Sequence, residues 1–548
     1  MFPPDPTAAG RRVLRICTDG RLAAGEYIAT RAATAQARAR VRRGQLGGIR
    51  GMRGSKTLFG ILVAALLLSP GVRAAQSAAA VNARSADGST PLLWAAYQGD
   101  EARVAQLLKA GADPRLANRY GATPIGEAAR RGDTAILRLL LNAGADPDSP
   151  NPEGQTALMA VARTGNIEAA QLLLAHGAKI NARERWGGQS ALTWAAAQRQ
   201  SGMVRLLLAK GAEPNARATV RDWQRRVTAE GRPKDMNRGG LTPLLYAARE
   251  GCVACARELL AGNADINLAD PDGTTPLVLA LLNLHWDVAY LLVESGADVN
   301  AWDFWGQTPL YVAVDMNTTP AGGHVDLPSL DAHTGLDVVR LLLDHGANVN
   351  AQLKLRPPFR DAVNDRLTDP MLTTGATALL RAAKAGDLPV IHLLLEHGAL
   401  VDLPNVFGHT PLMAAAGAGR GTTPSRGRFK TEVQAVEAIR VLREAGANVN
   451  ARAVAGDTAV HGAAIHGWNE AIKLLAGYGA DLNVADKDGM TPLDYALARY
   501  PLTYLESKPQ PFEATATLLR SLGANRETRE PPKWQPVGVP QITAQVPE

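Results

Sequence analysis

A short apolar phrase recurs along the chain. Residues 89–100 read STPLLWAAYQGD, 122–133 ATPIGEAARRGD and 155–166 QTALMAVARTGN. In each, a Thr precedes apolar residues spaced three and four apart, the spacing that puts them on one face of a helix. The Thr hydroxyl suits an N-cap, and Pro in a first turn loses no intrahelical hydrogen bond. The phrase ends on a Gly (Gly99, Gly132, Gly165, Gly251, Gly386), which predicts a turn at positive φ. A second Leu-rich run follows, such as RVAQLLKAG or ILRLLLNAG, and closes on Gly111, Gly144, Gly177, Gly346 or Gly398, the mark of a left-handed helix end. A polar stretch ending in Gly then leads to the next Thr. The pattern predicts pairs of short helices joined by extended fingers.

The phrase returns as QSALTWAAAQRQ, LTPLLYAAREGC, TTPLVLALLNLH, QTPLYVAVDMNT, ATALLRAAKAGD, HTPLMAAAGAGR, DTAVHGAAIHGW and MTPLDYALARYP, eleven copies in all. Its step is mostly 33 residues, as from Thr90 to Thr123 to Thr156 and from Thr242 to Thr275 to Thr308. With the linking phrases LLLNAGADPD, LLVESGADVN and LLLDHGANVN, this resembles the ankyrin repeat family over residues 80 to 526. The resemblance implies an all-α repeat solenoid of about eleven ankyrin repeats, helix-turn-helix plus a β-hairpin finger. One unit cannot bury both its helices alone; stacking buries a continuous core. The consensus His of the family's T-P-L-H survives only as His461. The last unit, EATATLLRSLGANRETR, is more polar and reads as a cap.

The units fall at 85–117, 118–150, 151–184, 185–217, 237–269, 270–302, 303–351, 372–404, 405–452, 453–485 and 486–526. The period breaks in several places, including an insertion in repeat eleven near PLTYLESKPQ. Gly211 to Thr242 and Gly346 to Thr377 each span 31 positions, where Gly111 to Thr123 spans 12. These are finger insertions at 218–236 and 352–371. Two inter-helix insertions lie at 317–333 and 420–434. Repeat four is one residue late, with Ser190 in the Thr slot. The tail 527–548 is Pro-rich and is expected to be disordered.

Charge changes the picture only at the start of the chain. The total is +7, but residues 1–74 hold 13 Lys/Arg and 3 Asp/Glu, a net of +10, which leaves −3 for the rest. The repeats therefore carry no basic footprint for nucleic acid, and no nucleic-acid partner is expected. From Met52 the sequence reads MRGSKTLFGILVAALLLSPGVRA, with Arg53 and Lys56 ahead of an uncharged Leu58–Leu68 run and small residues at the end. This is the form of a secretory signal peptide at 52–74. It predicts a periplasmic or secreted protein with no transmembrane span once the signal is cleaved. The Arg-rich residues 1–51 fit no such role and read as a non-native upstream extension or a disordered basic leader.

Candidate chemistry is sparse. No G-x-S-x-G, H-E-x-x-H, P-loop or dinucleotide motif is present, so a non-enzymatic protein without cofactor is expected. His324, Asp326, Asp331 and His333 could ligate a metal, but they match no ligand motif and no metal is expected. Aromatic residues stand at or beside the fingertips: Tyr120, Trp186, Trp302, Phe304, Trp305 and Phe407, with Trp223 in the first enlarged finger. Exposed rings of this kind anchor interfaces. In ankyrin-like folds the fingers and first helices form a concave binding face. The chain thus looks similar to exported bacterial ankyrin proteins with irregular insertions. It is expected to be a monomer that binds a protein partner through fingertips, first helices and enlarged fingers. A second reading is an envelope-polymer binder holding acidic glycan or lipid headgroups on its basic insertions. A third is a thiol-disulfide protein using Cys252 and Cys255. The repeat register gives these two cysteines separate slots, a helix N-cap (where other units have Asp100, Asp133, Asn166) and a buried apolar position. In an oxidising compartment the two could close into a disulfide across the helix start, and the sequence leaves open whether they do.

Overall fold

The computed structural model describes residues 80–222, 238–317, 330–355, 357, 371–418, 430–499 and 510–526, with the backbone of 226–227 and 234–235. The segments 1–51 and 52–74, the tail 527–548 and most of the insertions lie outside the described residues.

The described residues contain 22 helices, two in each of eleven units. The first is Pro91–Gln98 and its partner is Glu101–Lys109. Each first helix starts where the sequence expects. Thr90 Oγ1 accepts from Leu93 N–H at 3.2 Å, and Thr123, Thr156, Ser190, Thr242, Thr275, Thr377 and Thr410 cap in the same way. The helix stops at Gly99, in the left-handed region with φ 74°. In repeat five a Cβ on the equivalent Gly251 would also meet the His285 ring at 2.5 Å, so only Gly fits there without a shift. Repeats four and six place Arg199 and Leu284 in that slot at φ 60° and 62°, a strained conformation for a residue with a Cβ. Asp100, Asp133, Asn166 and Asp387 cap the second helices.

First helices pack on first helices and second on second, and the two rows close on each other within each unit. The core is continuous from Leu92 to Ala524. Leu137, Leu140 and Leu173 are fully buried; each contributes about 2 kcal/mol of hydrophobic stabilisation. The sparse aromatic content is compatible with this, because small Ala pairs such as Ala95–Ala96 and Ala128–Ala129 let the first helices approach closely.

The regular fingers are tight turns rather than ladders. Asn118 Oδ1 accepts from Tyr120 N–H at 3.0 Å and Ala122 N–H at 2.9 Å, and the turn closes through Asn118 N–H to Ala122 O. Asp270, Asp303, Asn405 and Asp486 do the same, and Asn151 accepts from Gln155 N–H alone. Repeat four, one residue longer, uses Glu184, whose extra methylene reaches Trp186, Gly187 and Gln189 N–H. Strand pairing among the described residues is confined to β1 (Arg226–Val227) and β2 (Lys234–Asp235), antiparallel within the first enlarged finger, and to bridges at Val220–Gly239 and Gln352–Thr377.

Candidate functional site

The finger turn fixes where the aromatic rings stand. The residue two after the Asx is held by a backbone hydrogen bond to that side chain, and this tip slot carries Tyr120, Trp305 and Phe407. Trp186 is held by Glu184 in the same role. Tyr120 and Trp186 project furthest, 72% and 78% exposed. Phe407, Phe304 and Trp302 are also exposed. Trp305 is half-buried; it meets Phe304 edge-on at 5.5 Å, and its carbonyl accepts from Lys354 and Leu355 N–H. The Lys354 ammonium lies 2.8 Å from the centre of the Trp302 ring, a cation–π contact. Arg221 lies 5.7 Å over Trp186. Trp223 lies outside the described residues.

The structure adds residues to this row that the aromatic pattern did not single out. Leu355, Val406 and Val454 are exposed apolar side chains on neighbouring fingers. With Trp302, Phe304 and Phe407 they make a strip of exposed apolar side chains on the fingers between residues 302 and 454. A backbone ladder binds the fingers together. Arg119 N–H donates to Asp87 O, Arg185 to Glu153 O, Thr219 to Gly187 O, Phe304 to Asp272 O, Val406 to Thr374 O, Val454 to Phe407 O and Lys487 to Ala455 O. The donor slot of two fingers holds Pro152 and Pro271, which have no N–H to give. The spacing of these prolines is the one trace of the ladder in the sequence.

The first-helix face differs along the array. Seven residues after the capping Thr stand Arg130, Arg163 and Arg249, all exposed. Arg130 pairs with Glu127, and Arg249 with Glu250 at 2.7 Å. In repeats seven and eight this face is buried. Asp315 and Arg381, 5% and 0% exposed, meet at 2.6 Å across the junction.

Two helices borrow their caps. His285 and Trp468 occupy N-cap slots without making a side-chain cap bond. Asp331, at the end of one inter-helix insertion, accepts instead from Trp286 N–H at 2.7 Å. Glu432, near the end of the other, accepts from Glu470 N–H at 2.7 Å. The two described members of the metal quartet are thereby engaged in local structure: His333 Nδ1–H donates to the Asp287 carboxylate at 2.7 Å, and the ring stacks on Tyr290 at 3.7 Å. His324 and Asp326 lie outside the described residues. Among the described residues no three His, Cys, Asp or Glu side chains are grouped as a metal site.

The turn ends carry cations on helix carbonyls. The Lys430 ammonium donates to Ala414 O at 2.7 Å and Ala383 O at 3.3 Å, and burial pushes its pKa well below the usual lysine value. His466 stacks on Trp468 at 4.6 Å and faces Gly417 O at 3.2 Å. Burial, with Lys430 nearby, lowers its pKa to about 4. His461 closes its own capping box with Thr458 and reaches Met490 O at 3.2 Å in the next repeat.

Cys252 and Cys255 form a disulfide in the structure, Sγ–Sγ 2.06 Å. Cys252 is the N-cap of the helix Val253–Ala261, its sulfur accepting from Cys255 N–H at 3.1 Å. Both residues are buried, Cys255 completely.

Among the described residues no helix is long and apolar enough to cross a membrane. A family described as "Ankyrin repeats (3 copies)" matches residues 59–151, 125–218, 228–303, 263–353, 352–423 and 430–505. The mouse B-cell lymphoma 3 protein homolog is 29% identical over 193 residues, 34% of this chain and 35% of the mouse protein. Human ankyrin repeat and SOCS box protein 16 is 32% identical over 192 residues, 32% of this chain and 41% of its own length. A fowlpox virus ankyrin repeat protein is 29% identical over 31% of this chain and 90% of its own. The chain thus spans about a third of the mouse relative's length. The crystal structure of the ankyrin repeat domain of Bcl-3, of the IkappaB family, is 27% identical over 41% of this chain and 94% of that domain, with a TM-score of 0.35. Eleven stacked helix pairs, a single continuous core and a family match across most of its length place this chain in the ankyrin repeat family.

Proposed function

We propose that this protein is an exported, non-enzymatic binding scaffold that holds a protein partner on its fingertips and first-helix face. Ankyrin repeats generally mediate protein–protein interaction. The observation that carries the reading is the apolar strip at Trp302, Phe304, Leu355, Val406, Phe407 and Val454, on fingers tied together by backbone hydrogen bonds. Rings and branched side chains held on a rigid frame lose little entropy on binding and make good anchors. Export rests on the leader at 52–74. In an oxidising compartment the buried Cys252–Cys255 pair serves as a clip on repeat five. Thiol exchange needs a sulfur that an attacking thiolate can reach, and neither sulfur here is open.

The test is crosslinking capture from the cell envelope with the full chain, beside the double variant Trp302→Ala/Phe304→Ala. Loss of a captured protein in the variant supports the strip as the binding surface. Undiminished capture of every protein rejects it. Mass spectrometry of the mature N-terminus tests export, which predicts a start near Ala75.

A further inference from the structure

Three independent features meet at the junction of repeats two and three. The first is the gap in the finger ladder: Pro152 offers no N–H, so the Tyr120 carbonyl lacks the bond that Asp87 O and Glu153 O receive from the next finger. The second is a cavity of about 280 Å³ at that same gap, with Tyr120, Pro152, Met159 and Trp194 among its walls. The Trp194 indole N–H lies covered there without an acceptor. The third is charge. Arg130, Arg163 and Arg249 hold one repeat slot, and the first and last are neutralised by Glu127 and Glu250 on their own helices or turns. The matching neighbours of Arg163 are Ala160 and Thr164, so it has no carboxylate at i−3 or i+1. Arg163 is exposed and lines the cavity, as do Arg130 with its paired Glu127 and the exposed Glu153.

We propose that this junction binds an extended acidic segment of a polypeptide partner. A carboxylate side chain of the segment sits on the Arg163 guanidinium. An apolar neighbour fills the Tyr120–Pro152–Met159–Trp194 cavity, and a backbone N–H of the segment donates to Tyr120 O in place of the missing ladder bond. The chemistry favours a peptide over a sulfated or uronic glycan, because two of the three contacts need an apolar side chain and an amide donor. This inference rests on the protein-binding reading, but it concerns a site separate from the strip between residues 302 and 454.

The test measures binding of a fluorescent N-acetylated octapeptide of alternating Glu and Leu to the full chain by anisotropy. The controls are its Gln–Leu counterpart and a sulfated heparin octasaccharide. The expected result is binding of the acidic peptide, roughly tenfold weaker in Arg163→Gln and in the Gln–Leu peptide. Arg249→Gln, at the same slot but already paired, should leave it unchanged. Pro152→Ala should weaken binding by restoring the ladder donor, while circular dichroism verifies that the array is folded. Equal binding by Arg163→Gln and Arg249→Gln overturns the inference. So does equal binding of both peptides, or retention of the octasaccharide with no binding of the acidic peptide. Loss of envelope capture in Trp302→Ala/Phe304→Ala alongside any of these outcomes would leave the scaffold reading standing and this site rejected.

Discussion

The first-helix face meets water in one part of the array and is buried in another. In repeats two, three and five the seventh position after the capping Thr carries Arg130, Arg163 and Arg249, exposed and paired locally or not at all. In repeats seven and eight the first-helix face carries Asp315 and Arg381, buried and joined across the junction. A surface arginine pair gains little, because water screens it and its side chains lose entropy. A buried pair works differently: each charge helps to offset the desolvation of the other. The repeat frame therefore dictates where a side chain starts. Whether that side chain meets a partner or its own chain depends on the local surroundings.

The sharpest way to break this contrast is to remove one member of the buried pair. Arg381→Met should destabilise repeats seven and eight by about 3–5 kcal/mol, since Asp315 would be left buried and charged. Arg130→Met should cost less than about 0.5 kcal/mol. Hydrogen exchange resolved by repeat compares the two. Equal effects would erase the distinction, and a double Asp315→Leu/Arg381→Met variant should recover most of the loss.

Acid should also separate the two regions. His466 is held neutral in the folded protein, with its pKa lowered to about 4 from 6.5. The unfolded chain then takes up a proton that the folded one refuses. The stability is complete above pH 6.5 and drains away as pH falls towards 4, up to about 3 kcal/mol. Hydrogen exchange should show repeats nine and ten loosening across that window before repeats two and three. His466→Gln should flatten the difference.

Binding gives a smaller effect. Trp302→Ala/Phe304→Ala should weaken partner capture by about 2 kcal/mol in a quantitative pull-down. Trp94→Ala, a half-exposed ring on the first helix of repeat one, should change capture on that strip by less than about 0.5 kcal/mol. The smallest expected change is a gain. Arg199→Gly should stabilise repeat four by about 0.5–1 kcal/mol in urea denaturation, by relieving a left-handed residue that has a Cβ.

Much of the scaffold was legible before any coordinates. Thr-Pro, the turn glycines and the 33-residue step each have a local physical meaning, and the helices begin and end where those residues stand. The fingertip aromatics were legible for the same reason, because a counted register assigns Tyr120 and Phe407 one slot. Three things were not. Leu355, Val406 and Val454 are aliphatic residues set on the fingers by backbone hydrogen bonds, and an aromatic pattern passes over them. The Asp315–Arg381 pair joins residues 66 positions apart, across an insertion that hides their adjacency. The finger ladder is made of backbone, which leaves no side-chain signature beyond the two prolines that interrupt it.

Asp331 and Glu432 make one more consequence follow. The helix Trp286–Glu294 obtains its N-terminal acceptor from the next unit, and Asn469–Gly477 obtains its own from the unit before. An array of this kind invites cutting and splicing, since each unit looks self-contained. At these two joints it is not. A shortened version ending after residue 302 would strip one helix of its acceptor, and one beginning at residue 453 would strip the other. The units share a shape, but the parts are no longer interchangeable, and an engineer dividing this chain should keep repeats six with seven and nine with ten.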